Sequence, residues 1–336
     1  MGKQFLIKDE VSFNQPQRPM ILGTSVSTGN RHAPTHCGSL FTMTMVRLPD
    51  PERARRWCAE QRADGRSVGF VPTMGALHEG HLALVRRAVA ENDVVCVSIF
   101  VNPLQFNDPK DLARYPRDFD ADAAQLERVG CEMVFSGTLQ QFFPKVKQAD
   151  QIVTRDPGPC AEGLEGASRP GHFGGVATIC ERLFRVVGPG RAYFGEKDFQ
   201  QSLVVKQLAR ELGFPEIVVC PTVREPSGLA YSSRNVLLTD AERQQATCLS
   251  KALFALRRAW HNGKRDAIEL RTVMLHELEH GGVQVEYAEL RDPHAWTVES
   301  PTGPMLRAQA LVAARVGKVR LIDNLRLDRD DDVGAQ

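Results

Sequence analysis

His78 and His81 stand three residues apart in PTMGALHEGH, residues 72–81, and form the most chemically loaded feature of the chain. VGFVP before them reads as a short apolar strand. HLALVRRAVAEN reads as an amphipathic helix with Leu82, Val85, Ala88 and Val89 on one face. Gly75 and Gly80 let the backbone turn and approach a ligand closely. A helix start offers unpaired N–H groups and the positive end of its dipole, which suits phosphate. With a helical first turn the two imidazoles share a side, where neutral-to-cationic donors would stabilise charge on a phosphate under attack. A lone histidine is ordinarily a satisfied surface or core residue; a pair in a glycine-bracketed strand-to-helix turn argues for function. Zinc is the rival reading. The protease motif H-E-x-x-H needs one more residue than HEGH supplies, and no third ligand is obvious.

YFGEKDFQQ, residues 193–201, repeats the strand-to-helix arrangement. Gly195 permits the turn, Lys197 brings a point charge for phosphate, and Asp198 can cap the helix or orient a ribose hydroxyl. Gln201 offers an uncharged donor–acceptor pair, while Glu196 and Gln200 read as a solvated first turn. In SIFVNPLQF a buried strand ends at Asn102–Pro103 and delivers Gln105 to the same sheet edge. GLAYSSRN, residues 228–235, sets two hydroxyls and Arg234 on a loop begun by glycine. It reads either as a phosphate clamp or as a polar hinge. RPGHF at 169–173 is a further loop, with no role assigned to His172.

The elements that must carry these residues alternate strand and helix. After a helix over PERARRWCAEQRADG, closed by Gly65, strands fall at 68–72, 94–101, CEMVFSG, 191–195 and 216–222, with helices between. That alternation predicts an α/β fold, a parallel sheet wrapped by helices. After Pro221 the rhythm changes to two helices, the first opened by a Thr239/Glu242 capping box. VEYAELRD comes next, and then ALVAARV and VRLIDNL read as two strands joined at Gly317–Lys318. A boundary near Val223 separates this smaller α+β unit. Residues 1–45 are rich in Ser, Thr, Asn, Gln and Pro without periodicity. They read as a disordered extension, or as sequence ahead of a start at Met43 or Met45.

Lys and Arg number 42 against 41 Asp and Glu, a net charge of +1, so nothing drives the chain toward nucleic acid or an anionic membrane. No apolar run approaches the roughly 20 residues of a bilayer-spanning helix. The eight cysteines are scattered, with no C-x-x-C pair. They suit a reducing, cytoplasmic setting.

Taken jointly, VPTMGALHEGHLALV, VSIFVNPLQF, LARYPRD, LEGASRPGHF, AYFGEKDFQQ, GLAYSSRN and LVAARVGKVRLIDN closely resemble the pantothenate synthetase (pantoate–β-alanine ligase) family, in the family's order. The H-x-G-H turn and the serine loop also look like the signature motifs of class I aminoacyl-tRNA synthetases and related nucleotidylyltransferases. The resemblance implies a Rossmann-like nucleotide- and pantoate-binding domain at 46–222, a C-terminal lid domain at 223–330 and a tail at 331–336. It also implies ATP and Mg2+ use, a cytoplasmic homodimer, and condensation of (R)-pantoate with β-alanine through pantoyl adenylate. In residue terms it places Met74, Gly75, Ala76, Leu77, His78, Glu79, Gly80 and His81 on ATP, with His81 at the proton-donor position. Gly195, Glu196, Lys197, Asp198, Val223, Tyr231, Ser232, Ser233 and Arg234 join them on the nucleotide. Gln105, Gln201 and Asn102 fall on the substrate side. His81, His78, Lys197 and Arg234 form the implied catalytic set.

Two positions depart from the family pattern. Tyr231 stands where Met or Leu is usual, and Ala121 replaces an acidic residue beside Asp122, so no protein metal ligand is assigned. The competing readings are another adenylyltransferase of the same superfamily and a non-catalytic nucleotide-binding paralogue.

Overall fold

Strands that are apolar on both faces have to be covered on both faces, and the computed structural model, described over residues 44–329, meets that demand with helices. Its elements in chain order begin with β1 (Val46–Leu48), α1 (Pro51–Ala63), β2 (Val68–Thr73), α2 (Glu79–Glu91), β3 (Val94–Ile99), α3 (Pro109–Arg114), α4 (Phe119–Arg128) and β4 (Met133–Phe135). They continue with α5 (Leu139–Phe142), α6 (Leu164–Ser168), α7 (His172–Val187), β5 (Arg191–Gly195), α8 (Phe199–Leu212) and β6 (Glu216–Cys220). The chain closes with α9 (Asp240–His261), α10 (Ala267–His280), β7 (Gln284–Arg291), β8 (Gln309–Val316) and β9 (Val319–Arg326).

The first six strands form one parallel sheet in the order β1-β4-β3-β2-β5-β6. Alternate residues feed opposite cores. Phe70, Cys96 and Phe135 pack with α1, α7 and α8, and Val71, Val97 and Val134 pack with α2 and α4. The order in which strands are added reverses between the parallel neighbours β2 and β5, and an open α/β sheet leaves a crevice at the carboxyl ends of such neighbours.

The remaining strands form an antiparallel sheet, β7-β8-β9, covered by α9 and α10 through Leu253, Leu256, Leu270 and Met274. β8 and β9 join at Gly317–Lys318, with Val316 paired to Val319. The Thr239/Glu242 capping box opens α9 as its sequence predicts.

The structure adds and corrects elements. β1 has no counterpart in the sequence pattern: it pairs Val46 with Met133 and Leu48 with Phe135, and Met45 before it is buried. Three residues are too few to display a period, so only pairing reveals this strand. Met45 therefore belongs to the fold, while residues 1–43 and 330–336, including the tail expected at 331–336, lie outside the described residues. The RPGHF loop ends early, and His172 and Phe173 already open α7. Among the described residues no helix is long and apolar enough to cross a membrane.

One buried carboxylate fixes the turn after β2. Asp122 of α4, 4% exposed, accepts from the Ala76 N–H at 2.9 Å through Oδ2 and from the Leu77 N–H at 2.8 Å through Oδ1. With Ala121 beside it, Asp122 is thus a backbone clamp with both oxygens committed. Burial raises its pKa, against the pull of those two N–H groups. Gly75 has φ +79°, and a Cβ there would meet Asp122 Oδ2 at 2.8 Å, so this position requires glycine on two counts. Ala76 is left-handed as well, at φ 50°.

Asp122→Ala leaves two inward N–H groups without acceptors. It is expected to cost about 2–4 kcal/mol in urea unfolding. A loss below about 0.5 kcal/mol, the scale of an ordinary surface change, would show that the turn holds itself.

Candidate active site

β2, β3 and β5 end on the same side of the sheet, and their loops, with the segment after β6, line one cavity. His78 is the N-cap of α2, with extended backbone at φ −141° and ψ 174° and no side-chain cap bond. It therefore sits just outside the helix and not in its first turn. The rings of His78 and His81 still stack, centroids 4.0 Å apart at 29°. Tyr231 continues the stack over His78 at 6.1 Å and 17°. The large side chain at 231 thus packs on the His78 face of the imidazole pair.

Both imidazoles are neutral near pH 7. Burial first, then the neighbouring His81 and Lys197 charges, lower His78 from 6.5 to about 2. Burial and Lys197 lower His81 to about 4. The expected range of neutral-to-cationic donors therefore narrows to neutral N–H donors. Nδ1 of each ring is buried with no hydrogen-bond partner among the described residues.

Lys197 sits in the 3-10 turn Glu196–Asp198 between β5 and α8, and its ammonium meets Asp198 Oδ2 at 3.4 Å. Burial favours the neutral form of Asp198, but the charge and hydrogen bond of Lys197, with the charges of Arg169 and Arg234, together lower the pKa. Asp198 makes no side-chain cap on α8.

At the end of β3, Asn102 is 1% exposed. It donates to Gln105 Oε1 at 2.9 Å and to the Gly175 carbonyl at 3.1 Å, while its Oδ1 accepts from the Leu104 N–H. That commits Oε1 of Gln105 and leaves Nε2 as the donor offered to a ligand. α7 comes close enough that a Cβ on Gly175 would lie 2.3 Å from the Leu104 carbonyl.

After β6, Ser233 Oγ donates to the Ala76 carbonyl at 3.3 Å, and the Tyr115 hydroxyl meets the Gly75 carbonyl at 3.4 Å. The serine loop thus holds the histidine turn directly. Arg234 pairs with Asp111 of α3 at 3.1 Å, and the Tyr231 N–H bonds the Val223 carbonyl at 3.0 Å.

Of the residues read from sequence, Met74, His78, Gly80, His81, Asn102, Gln105, Gly195, Lys197, Asp198, Gln201, Val223, Tyr231, Ser232, Ser233 and Arg234 line the cavity. Gly75, Ala76, Leu77, Glu79 and Glu196 do not. The first two build the turn from behind, Leu77 packs into the core, and Glu79 pairs with Arg86. The Glu196 carbonyl accepts from Asn324. Gln200 is corrected: it is 3% exposed and not solvated. Its amide bonds the Cys160, Glu162 and Gly163 carbonyls and the Glu165 N–H, because it faces inward from α8.

Sequence reasoning gives no role to His172 and Arg169, which also line the cavity. His172 Nδ1 lies 3.0 Å and Arg169 Nη2 3.2 Å from the Gln105 carbonyl. Their loop, RPGHF, stands out in the chain, but only folding brings it to Gln105. A wall of Phe100, Val176, Ile179 and Leu183 closes the apolar end of the cavity. No group of three or more His, Cys, Asp or Glu is placed to hold a metal among the described residues.

A family model described as Pantoate-beta-alanine ligase matches residues 47–326. The pantothenate synthetase of Thermotoga neapolitana is 45% identical over 275 residues, covering 81% of this chain and 96% of that protein. That of Gluconobacter oxydans (strain 621H) is 49% identical over 264 residues, covering 78% and 94%. The crystal structure of pantothenate synthetase from Thermus thermophilus matches with a TM-score of 0.76 at 41% identity, over 84% of this chain and 99% of that one. Pantoate-beta-alanine ligase from Francisella tularensis, complexed with beta-gamma ATP and beta-alanine, matches at 0.69 and 32% identity, over 85% and 98%.

Neutral buried histidines tie stability to pH. Each takes up a proton near 6.5 when unfolded, but His81 and His172 do so only near 4 when folded. Folding stability is therefore complete above pH 6.5 and declines as pH falls toward 4. Between pH 6.5 and 5, above most carboxylate titration, the melting temperature should fall in the parent and fall less in His81→Gln. Superimposable profiles would contradict the burial of a neutral His81.

Proposed function

The chain belongs to the pantoate-beta-alanine ligase family, and from that premise we propose how its cleft performs ATP-dependent condensation of pantoate with β-alanine. The observation that carries the assignment of roles is the convergence of His78, His81, Lys197 and two glutamines, Gln105 and Gln201, on one cavity where β2 and β5 end.

A carboxylate is a poor acyl donor because its leaving group would be oxide. The carboxylate of (R)-pantoate attacks the α-phosphorus of ATP, a phosphorus–oxygen bond breaks, and pyrophosphate departs. The β-alanine amine then attacks the carbonyl of pantoyl adenylate, loses a proton, and AMP leaves. In our reading Lys197 supplies the fixed positive charge beside the phosphates. His78 and His81 donate neutral N–H hydrogen bonds, which become charge-assisted as negative charge gathers on the leaving group. Arriving phosphate also raises the imidazole pKa values, which lets His81 take the proton-donor role in the course of the reaction.

Gln105, oriented by Asn102, and Gln201 hold pantoate through its hydroxyls and carboxylate, and Gln105 also places β-alanine. The apolar wall of Phe100, Val176 and Ile179 suits the branched carbon of pantoate. Ser232, Ser233 and Arg234 clamp the triphosphate, with Tyr231 and the Val223 backbone toward the nucleotide. Asp198, a carboxylate that lines the cavity, would face a magnesium ion carried by the triphosphate, and such an ion would neutralise phosphate charge. Residues 223–330 act as a lid over 46–222, which keeps water from the mixed anhydride. We further assign a cytoplasmic homodimer.

The direct test supplies Mg-ATP, pantoate and β-alanine and omits each in turn. Pantothenate, AMP and pyrophosphate are expected only from the complete mixture. An intact adenylylated product released at the end would indicate the adenylyltransferase alternative, and ATP binding without turnover the non-catalytic one. His81→Ala and Lys197→Ala should each slow adenylate formation by about 10²–10³-fold. Near-normal rates would remove that residue from the mechanism.

A further inference from the structure

The antiparallel sheet reaches the phosphate side of the cleft through one side chain. Asn324 of β9 is 3% exposed. Its Nδ2 donates to two successive carbonyls of the turn that carries Lys197: Glu196 at 2.9 Å and Lys197 itself at 2.7 Å. Its Oδ1 accepts from Gln309 Nε2 of β8 at 2.8 Å, and its backbone N–H bonds Asp323 Oδ1 at 2.8 Å. The amide is fully used, and its orientation is unique. Flipped, Oδ1 would face two carbonyl oxygens and Nδ2 would face the Gln309 donor.

Lys197 has need of such a brace. Its ammonium meets Asp198 at only 3.4 Å, and Asp198 does not cap α8. The position of Nζ is therefore inherited from the backbone of the turn, and Asn324 pins that backbone. Gln309 carries the cost. It is 0% exposed, and its Oε1 has no hydrogen-bond partner among the described residues. A buried acceptor left unpaired is destabilising; an apolar side chain of similar size would remove that acceptor but leave Asn324 Oδ1 without its donor. What the glutamine provides is the donor that orients Asn324.

We propose that Asn324 is a positioning residue for Lys197, oriented by Gln309, so that the antiparallel sheet forms a working part of the active site. This rests on the reading of Lys197 as the phosphate-binding cation. Nothing in it requires the sheet to touch substrate.

The test measures single-turnover pyrophosphate release, ATP affinity by calorimetry, and urea stability. It compares the parent, Gln309→Leu and Asn324→Asp, each with and without Lys197→Ala. Asn324→Asp should slow release by up to roughly 100-fold, the scale of a ~1 Å misplacement of a catalytic group. Gln309→Leu should be slowed by a smaller factor, with a stability close to the parent's, because it exchanges the unpaired Gln309 Oε1 for an unpaired Asn324 Oδ1. In the Lys197→Ala background neither substitution should lower the rate or the ATP affinity further.

Losses that persist undiminished without the Lys197 amine would overturn the proposal, as would a Gln309→Leu protein that is fully active. Should Asn324→Asp not fold, Gln309→Leu decides alone. A parent that binds ATP yet releases no pyrophosphate would refute the ligase reading, and the coupling would still be read from ATP affinity.

Discussion

The turn after β2 runs against the ordinary preferences of the backbone, and the Asp122 carboxylate keeps it there. Ala76, directly after the left-handed Gly75, is itself left-handed, which is unfavourable for an L-residue. Asp122 offsets this by accepting the two N–H groups that the turn points inward, while Tyr115 and Ser233 bond its carbonyls. Side chains from distant parts of the sequence thus satisfy a loop that has no ladder of its own. The geometry of the histidine pair depends on it: His78 leaves the turn as an N-cap, α2 starts without a side-chain cap, and the two rings can stack.

Burial then sets the charge state. The same packing that stacks His78 and His81 removes them from water, and Lys197 adds repulsion, so the pair stays neutral while the lysine supplies the positive charge. A neutral pair costs less to bury than an ionised one. It also keeps its full donor capacity for an anion that brings its own charge. The network around Gln105 obeys a similar logic. Asn102, His172 and Arg169 each hold part of that residue, and Arg169 continues to Glu165, which Arg320 and Tyr287 grip from the antiparallel sheet. Glu165 is buried, which works against its charge, but Arg320, Tyr287 and Arg169 carry its pKa below the usual carboxylate value.

Much of this is legible in the sequence because it is local. Strand–helix alternation, the Thr239/Glu242 box and the glycine-marked turns each depend on neighbours along the chain, and the parallel sheet and the small antiparallel one arise from them. The places where strands meet helices also put Lys197 and the histidines at one sheet edge. What stays hidden is decided by distant partners. β1 is too short to have a period and exists through β4. Gln200 reads as polar filler until α8 turns it toward the Cys160–Gly163 carbonyls. In sequence Asp122 stands only beside the departure at Ala121 with no role assigned, and the fold alone aims it at Ala76 and Leu77. The neutrality of the imidazoles cannot be read from HEGH at all, since it comes from burial.

Nitrogen-15 NMR of the histidine side chains, recorded at pH 7 with and without Mg-ATP, bears most directly on the central claim. The account predicts neutral His78 and His81 in the free protein, with both rings shifting toward hydrogen-bonded, charge-assisted donors when the nucleotide binds. A protonated ring in the free protein, or two rings that ATP leaves unmoved, would contradict it.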